Sequence, residues 1–270
     1  VVKITKDAVG AFAEYEQLKG GVETLFSNTE GTVSAANTVM DNAAIAFQTA
    51  GISANKYMET ATSFAAALTS SLKGDYEEAA RVTDMAIIDM ADNANKMGTD
   101  MERIQDAYNG FAKGNYTMLD NLKLGYGGTK TEMQRLLADA QKLTGVKYNI
   151  NNLNDVFEAI HAIQDNLGIT NTTQEEAFST ISGSMGMLKA SWADLLVGIA
   201  SGEHDIGTLV DTVTTSFKYL FDNLQPAITQ ALEGIGTALA AIMPAIGEML
   251  PGLLADLAVP LAQGINGLVA

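Results

Sequence analysis

The stretch of this sequence that most resembles a reactive loop is Gly125-Tyr126-Gly127-Gly128-Thr129-Lys130-Thr131, which precedes a predicted helix. A phosphate-binding loop uses Gly-x-x-x-x-Gly-Lys-Ser/Thr, so that successive N–H groups surround the phosphates and the lysine reaches the outer ones. Here Thr129 separates Gly128 from Lys130, and position 123 is a lysine. The dinucleotide-binding spacing also fails, because the sixth residue counted from Gly125 is Lys130 rather than Gly or Ala. We therefore interpret the glycines as a turn before a helix cap at Thr129.

The two histidines, His161 and His204, do not form the kind of cluster that binds a metal. His161 flanks the apolar face of a predicted helix, where we expect a hydrogen-bonded structural histidine. His204 lies in the apparent linker 201–205, and a zinc site needs three or four convergent ligands. The chain has no cysteine, so thiolate chemistry and Cys-based zinc sites are excluded. The sequence predicts no catalytic residue, no cofactor and no metal site, and therefore no enzyme.

Three further groups of residues could take part in catalysis or binding, but each also has a structural interpretation. The adjacent carboxylates Glu77-Glu78 and Glu175-Glu176 lie at predicted helix starts, where negative charge favours the helix dipole. We expect Trp192, the one tryptophan, to anchor a core. The twelve methionines indicate an adaptable core, with a methionine-rich groove for a partner helix as the alternative.

Charge and composition narrow the classes of partner. The chain carries 32 acidic and 16 basic residues, a formal net charge of −16. Nucleic-acid affinity comes largely from lysine and arginine on phosphates, so we predict no direct nucleic-acid binding. A hydrophobic content of 47% excludes wholesale disorder. The start at Val1 and the missing leader pattern lead us to expect a piece of a longer protein without a signal peptide.

The first 225 residues are rich in residues with high helix propensity and contain no proline. Three sequences fit the capping box, in which a hydroxyl and a Glu satisfy the first N–H groups of a helix: they begin at Thr99, Thr129 and Thr172. Apolar residues at helical spacing follow, as in Met133, Leu136, Leu137 and Ala140. We predict an all-α protein with a compact domain of short packed helices.

The next segment has a 3-4 apolar spacing, which is typical of a coiled-coil seam or of two long helices in an antiparallel bundle. It is a candidate self-association seam. Its residues are Phe178, Ile181, Met185, Leu188, Trp192, Leu195, Ile199, Val210, Val213, Phe217, Leu220 and Leu224.

The last 45 residues hold all four prolines and only three charges. We predict an apolar helical tail broken by Gly and Pro, without an uncharged run long enough for a clean transmembrane helix. Such a segment must contact itself, a partner or a bilayer. Its candidate membrane or partner contacts are Ile235, Leu239, Ile242, Met243, Ile246, Leu250, Leu253 and Leu254.

The sequence therefore predicts four segments. They are a helical lead-in at 1–19, the compact domain at 20–172, the long amphipathic helices at 173–225 and the apolar tail at 226–270.

Several stretches between Gly20 and Gly202 resemble the tape measure protein of tailed bacteriophages and prophages. They include AAIAFQTAGISANKYMETATSFAAAL, NNLNDVFEAIHAIQDNLGITNTTQEEA and GSMGMLKASWADLLVGIASG. The most specific run extends from Asp92 to Gly128 and ends in the glycine-rich loop, which in that family is not a nucleotide site.

The resemblance implies a mostly helical protein that sets tail length during assembly, fills the tail tube and leaves ahead of the DNA at infection. It implies homo-oligomerisation and contacts with the tail tube, the tail tip or baseplate, and tail assembly chaperones. It places the protein in the virion after synthesis in the host cytoplasm, with a possible passage through the host membrane formed by an apolar segment. The alternative is a secreted helical pore-forming protein, for which the apolar tail would insert.

Overall fold

Helix is the only regular structure that the sequence pattern favours, and the computed structural model agrees with it. The model describes residues 2–27, 33–201 and 206–268, with the backbone alone for residues 2–5, 236, 238–239 and 241–268. Over these ranges the chain forms ten α-helices, one short 3-10 helix and no strand. The all-α prediction is confirmed.

The helices of the first part of the chain are α1 (Val2–Leu25), α2 (Ser34–Thr49), α3 (Ala54–Ser71), α4 (Tyr76–Met97) and α5 (Met101–Ala112). A 3-10 helix follows at Leu119–Leu122. The later helices are α6 (Lys130–Thr144), α7 (Leu153–Asn166), α8 (Thr172–Ala177), α9 (Ile181–Ser201) and α10 (Ile206–Leu268).

One of the three predicted helix caps has the predicted residue. The Thr129 hydroxyl accepts the N–H of Glu132 at 3.2 Å, which confirms the cap of α6. The Thr99 prediction is wrong by one residue, because the carboxylate of Asp100 accepts the Glu102 N–H at 2.9 Å. The Thr99 hydroxyl instead donates to the carbonyl of Asn121. A carboxylate accepts a backbone N–H more strongly than a hydroxyl does, which favours Asp at this position.

The third predicted cap, at Thr172, is also wrong, and its replacement comes from a distant helix. Asn171 precedes α8 without a side-chain cap of its own, and the Thr172 hydroxyl donates back to the Ile169 carbonyl. The carboxylate of Asp92, in α4, accepts the N–H groups of Asn171 and Thr173 at 2.5 and 2.8 Å. A fully buried carboxylate thus satisfies the start of α8.

We call the helices α1 to α8 the body. Its core lies around α3 and α4, which contact most of the other helices of the body. Phe157 of α7 packs edge-on against Phe64, with ring centroids 5.4 Å apart, and lies 5.0 Å from Tyr108. All three side chains are at most 2% exposed. Methionine contributes as predicted, since Met58, Met90 and Met133 are fully buried. α6 joins this body through α7.

Helix α9 packs on α1, α2, α3 and α8, and its buried face combines the large apolar residues Met187, Leu195 and Val197 with small ones. Its buried residues include Ser184, Ala190, Ser191 and Gly198. Small residues let helix axes approach closely. At Gly183 the close approach is to α8, because an added Cβ would lie 2.3 Å from the carbonyl oxygen of Glu176. Glycine lowers the helix propensity at this position, but the close packing leaves no room for any larger residue.

The chain divides into two compact units, Val1–Leu220 and Phe221–Ala270. The first unit holds α1 to α9 and the start of α10. The four segments predicted from the sequence stay predictions as separate domains.

The helix α10 runs without interruption through Pro226, Pro244, Pro251 and Pro260 to Leu268. The prediction of a tail broken by Gly and Pro is therefore not confirmed. A proline removes one N–H and crowds the carbonyl four residues earlier, but helix can continue on both sides of it.

Candidate functional site

The glycine-rich loop is closed by its own hydrogen bonds. The Gly127 N–H donates to the carboxylate of Glu132 at 3.1 Å, and the Thr129 N–H donates to the Gly127 carbonyl at 2.9 Å. The guanidinium of Arg135 donates to the Gly125 carbonyl and lies 4.3 Å from the centre of the Tyr126 ring. Two N–H groups of the loop, those of Gly127 and Thr129, thus already have partners, and the Thr129 hydroxyl caps α6, which is the hydrogen bonding of a turn before a helix.

His161 is a structural histidine, as its position on the sequence predicts. Its Nδ1 lies 2.9 Å from a carboxylate oxygen of Asp89, which is 1% exposed. Burial raises the pKa of Asp89 to about 6, and the His161 hydrogen bond lowers it in part. The same hydrogen bond raises the pKa of His161 above its usual value. The pair crosslinks α4 to α7.

The amide side chains beside this pair complete the crosslink. Gln164 donates to the Asp89 carbonyl at 3.3 Å, and Asn93 donates to the Gln164 side-chain oxygen at 2.8 Å. Within the described residues, no group of three or more His, Asp or Glu side chains could hold a metal ion. His204 lies outside the described residues.

The predicted carboxylate pairs are at helix starts. Glu77 and Glu78 lie in the first turn of α4, where Glu78 pairs with Arg81 at 2.8 Å. Glu175 lies in the first turn of α8, and the carboxylate of Glu176 accepts a hydrogen bond from Asn95 at 3.0 Å. Each has a local structural role.

The predicted seam divides between buried and exposed positions. Leu195 and Leu220 are buried, and Leu188, Val213 and Leu224 are half-buried. The other seven members are 37–58% exposed, and we call this set the hairpin face. The hairpin face consists of Phe178, Ile181, Met185, Trp192, Ile199, Val210 and Phe217.

Trp192 is the clearest departure from the prediction. It was expected to anchor a core, but 47% of its surface is exposed. The reason is that the buried face of α9, which includes Met187, Ala190 and Val197, is offset from Trp192. The seam residues of α9 therefore contact α10 on one side and are exposed on the other.

The two helices that carry all of the hairpin face except Phe178 run antiparallel. The hydroxyls of Ser191 and Ser216 lie 3.2 Å apart, and Val197 and Leu209 line one cavity. Before α9 begins, Phe178 packs edge-on against Tyr219, with ring centroids 5.0 Å apart. We call this pair, α9 with residues 206–220 of α10, the hairpin.

An open apolar groove of about 500 Å³ lies along the outer side of the hairpin. Leu188 and Trp192 line it from α9, and Val213 and Phe217 line it from α10. All four are members of the predicted seam, so the structure brings the two halves of that seam together. Lys189 and Thr214 form the polar part of the groove.

Asp194 attaches the hairpin to the body, and the sequence analysis missed it. Its carboxylate accepts the N–H of Ala54, the first residue of α3, at 2.9 Å. Burial raises the pKa of Asp194 to about 7, and the Ala54 N–H lowers it in part. A lone acidic residue among the small and apolar residues of α9 is the signal that could have marked it.

The apolar tail candidates can be placed only in part. Ile235 is 57% exposed on α10, in the unit Phe221–Ala270. The side chains of Leu239, Ile242, Met243, Ile246, Leu250, Leu253 and Leu254 lie outside the described residues. Where the structure describes the chain, no helix combines the length and apolar character needed to cross a membrane.

Comparison with protein-family models, with curated proteins and with solved structures finds no match to this chain. Among the described residues, the structure presents an exposed apolar surface, the hairpin face, on a helical scaffold.

Proposed function

We propose that this chain is a helical region of a tape measure protein, a structural component of a phage or prophage tail. The observation that carries a structural, assembling role is the hairpin face, seven large apolar side chains left exposed on an all-helical unit. Monomeric soluble proteins rarely expose contiguous apolar patches of this kind unless a partner covers them. The resemblance of residues 92–128 to tape measure proteins supplies the particular class.

In this role the chain is a homo-oligomer that contacts the tail tube, the tail tip or baseplate, and tail assembly chaperones. It is made in the host cytoplasm and resides in the virion. It binds no cofactor and catalyses no reaction. At infection it leaves ahead of the DNA, and its apolar segment contributes to a passage through the host membrane.

The length of assembled tails tests the proposal. The change is an in-frame deletion of Ala177 to Leu224 in the full-length gene of the parent virus. These 48 residues would span about 70 Å as one helix, at about 1.5 Å per residue. A ruler that is extended in this region gives tails shorter by about that amount in electron micrographs.

A replacement variant separates length from packing. In it, residues 177–224 are exchanged for an unrelated helical sequence of equal length. The ruler role expects normal tail length for this variant and short tails for the deletion. Normal-length tails from the deletion would contradict the ruler role and assign the region to DNA delivery, whereas loss of all tails in both variants would assign it to the initiation of assembly.

A secreted helical pore-forming protein is the second candidate, and one observation favours it. On α10, Ile228, Leu232 and Ile235 are at least half exposed in a segment with few charges. Release of a dye from lipid vesicles by the purified chain would support this function. Vesicles that stay intact while a tail-gene deletion shortens tails would exclude it.

A further inference from the structure

The hairpin face is large enough for a specific interface. Its seven side chains are 37–58% exposed. With large apolar and aromatic side chains of about 150–250 Å² each, they offer on the order of 600 Å² of apolar surface. A stable interface of standard size takes roughly 800 Å² from each partner, including a polar rim. The apolar surface of the hairpin face is therefore a large part of what one partner contributes to such an interface.

The charges of the hairpin make it the surface at which a second copy of this acidic chain can approach with little repulsion. The whole chain has twice as many acidic as basic residues. In contrast, α9 and residues 206–220 contain two basic residues, Lys189 and Lys218, and two acidic ones, Asp194 and Asp211. Asp194 is turned inward, toward α3. Two copies of a chain with net charge −16 therefore meet with least repulsion across this surface.

The groove of the hairpin can receive a side chain from a second copy. It runs between Trp192 and Phe217, which are both exposed and both lie at its walls. In a twofold symmetric contact the same patch is used on both copies, so a projecting side chain of one copy can enter the groove of the other. Aromatic side chains that fill pockets at the centre of an interface supply most of its binding free energy.

We propose that a second copy of this chain binds the hairpin face, with Phe217 of each copy entering the groove beside Trp192 of the other. The proposal deepens the proposed function, because it names the surface through which the copies of the structural protein associate. It is tested on the purified full chain, without assembled tails. Its failure would therefore leave the tail-length result untouched, and the converse also holds.

The experiment combines sedimentation equilibrium with the emission of Trp192, which is the only tryptophan and lies in the proposed contact. We expect the wild-type chain to dimerise as its concentration rises, with a parallel shift of the emission to shorter wavelength. We expect Phe217→Glu to raise the dimer dissociation constant at least about tenfold, since it buries a charge at the centre of the contact. The emission shift should be lost with it.

Two further variants carry the same added charge at other exposed apolar sites. Leu143→Glu is the matched control, because Leu143 is 49% exposed near the end of α6. It should dimerise like the wild type. Ile235→Glu tests the second unit and should also leave the dimer intact. Circular dichroism confirms that each variant is folded.

Three outcomes would overturn the proposal. A wild-type chain that is monomeric up to about 100 µM has no such interface of standard size. Dimers lost in Ile235→Glu but kept in Phe217→Glu would place the contact in the unit Phe221–Ala270. A monomer whose Trp192 emission shifts only on adding vesicles of zwitterionic or anionic lipid would make the hairpin face a membrane contact.

Discussion

At the scale of single residues, the glycine-rich loop shows how one position can be fixed by packing. Gly125 has a φ of +85°, a conformation that glycine adopts without steric cost. Gly128 has a different constraint, because an added Cβ would lie 2.2 Å from the carbonyl oxygen of Thr117. Gly127, its neighbour, has only the flexible side chain of Glu132 at an ordinary contact distance of 3.5 Å. The loop therefore depends on Gly128 for close approach and much less on Gly127.

We predict that Gly128→Ala lowers the free energy of unfolding by about 2–3 kcal/mol, as overpacking against backbone does. Gly127→Ala should change it by less than about 1 kcal/mol, since its neighbour can move aside. Urea denaturation followed by circular dichroism measures both. Equal effects of the two substitutions would show that the approach to Thr117 is not the constraint.

At the scale of elements, the docking of α9 on the body depends on a half-buried acid, Asp194, as well as on the buried face of the helix. Asp194 contacts the N-terminus of α3, with Glu14 of α1, Asp41 of α2, and Lys56 and Glu59 of α3 lining the cavities around it. The carboxylate gains from the helix N-terminus and loses from burial, and burial dominates. The docked helix therefore favours the protonated acid.

The pH dependence of stability should reveal this preference. The pKa of Asp194 is about 7 in the folded chain against 3.8 for the unperturbed group, so the folded state holds the proton longer. Its contribution to stability is therefore greatest below about pH 4 and declines as pH rises to about 7. The substitution Asp194→Asn keeps a side-chain oxygen for the Ala54 N–H and removes the charge.

We expect Asp194→Asn to exceed the wild type in unfolding free energy by about 1–3 kcal/mol at pH 8 and to differ little at pH 4. Using the difference between the two chains removes other titrating groups, such as Asp89, from the comparison. A difference that does not depend on pH would mean that Asp194 is ionised in the folded chain at no cost.

At the scale of the whole molecule, the net charge of −16 opposes the compact state. The favourable ion pairs of the described residues lie mostly on exposed helix surfaces at i,i+3 spacing, as in Lys56–Glu59 and Arg135–Glu132. Such pairs contribute only about 0.2–1 kcal/mol each. We therefore expect repulsion summed over the surface to outweigh them.

We predict that the melting temperature rises by several degrees when NaCl is increased from about 20 to about 300 mM. The reason is that salt shortens the range of the repulsion between surface charges to less than about 10 Å. Differential scanning calorimetry at a concentration where the chain is monomeric measures the shift. Potassium chloride should give the same result, which separates screening from specific sodium binding. A melting temperature that falls with salt would show that the surface ion pairs dominate.

The sequence by itself determined the all-helical class, the cap at Thr129 and the structural role of His161. The helical class and the Thr129 cap depend on helix propensity or on contacts within one helix, which the order of residues specifies directly. His161 differs, because the sequence placed it beside an apolar face but did not predict its partner Asp89 on another helix. It also identified the apolar stripe from Phe178 to Leu224, because a periodic pattern records which residues share a face.

Only the tertiary structure decided which face of α9 is buried and which side chain accepts the first N–H groups of α8. Periodicity indicates that an apolar stripe exists but not which element packs on it, and the face of α9 that is buried combines small residues with Met187, Leu195 and Val197. The caps supplied by Asp92 and Asp194 join atoms 79 and 140 residues apart. Such pairings depend on how the whole chain closes on itself, because the energy of each contact is gained only after distant helices have been brought together.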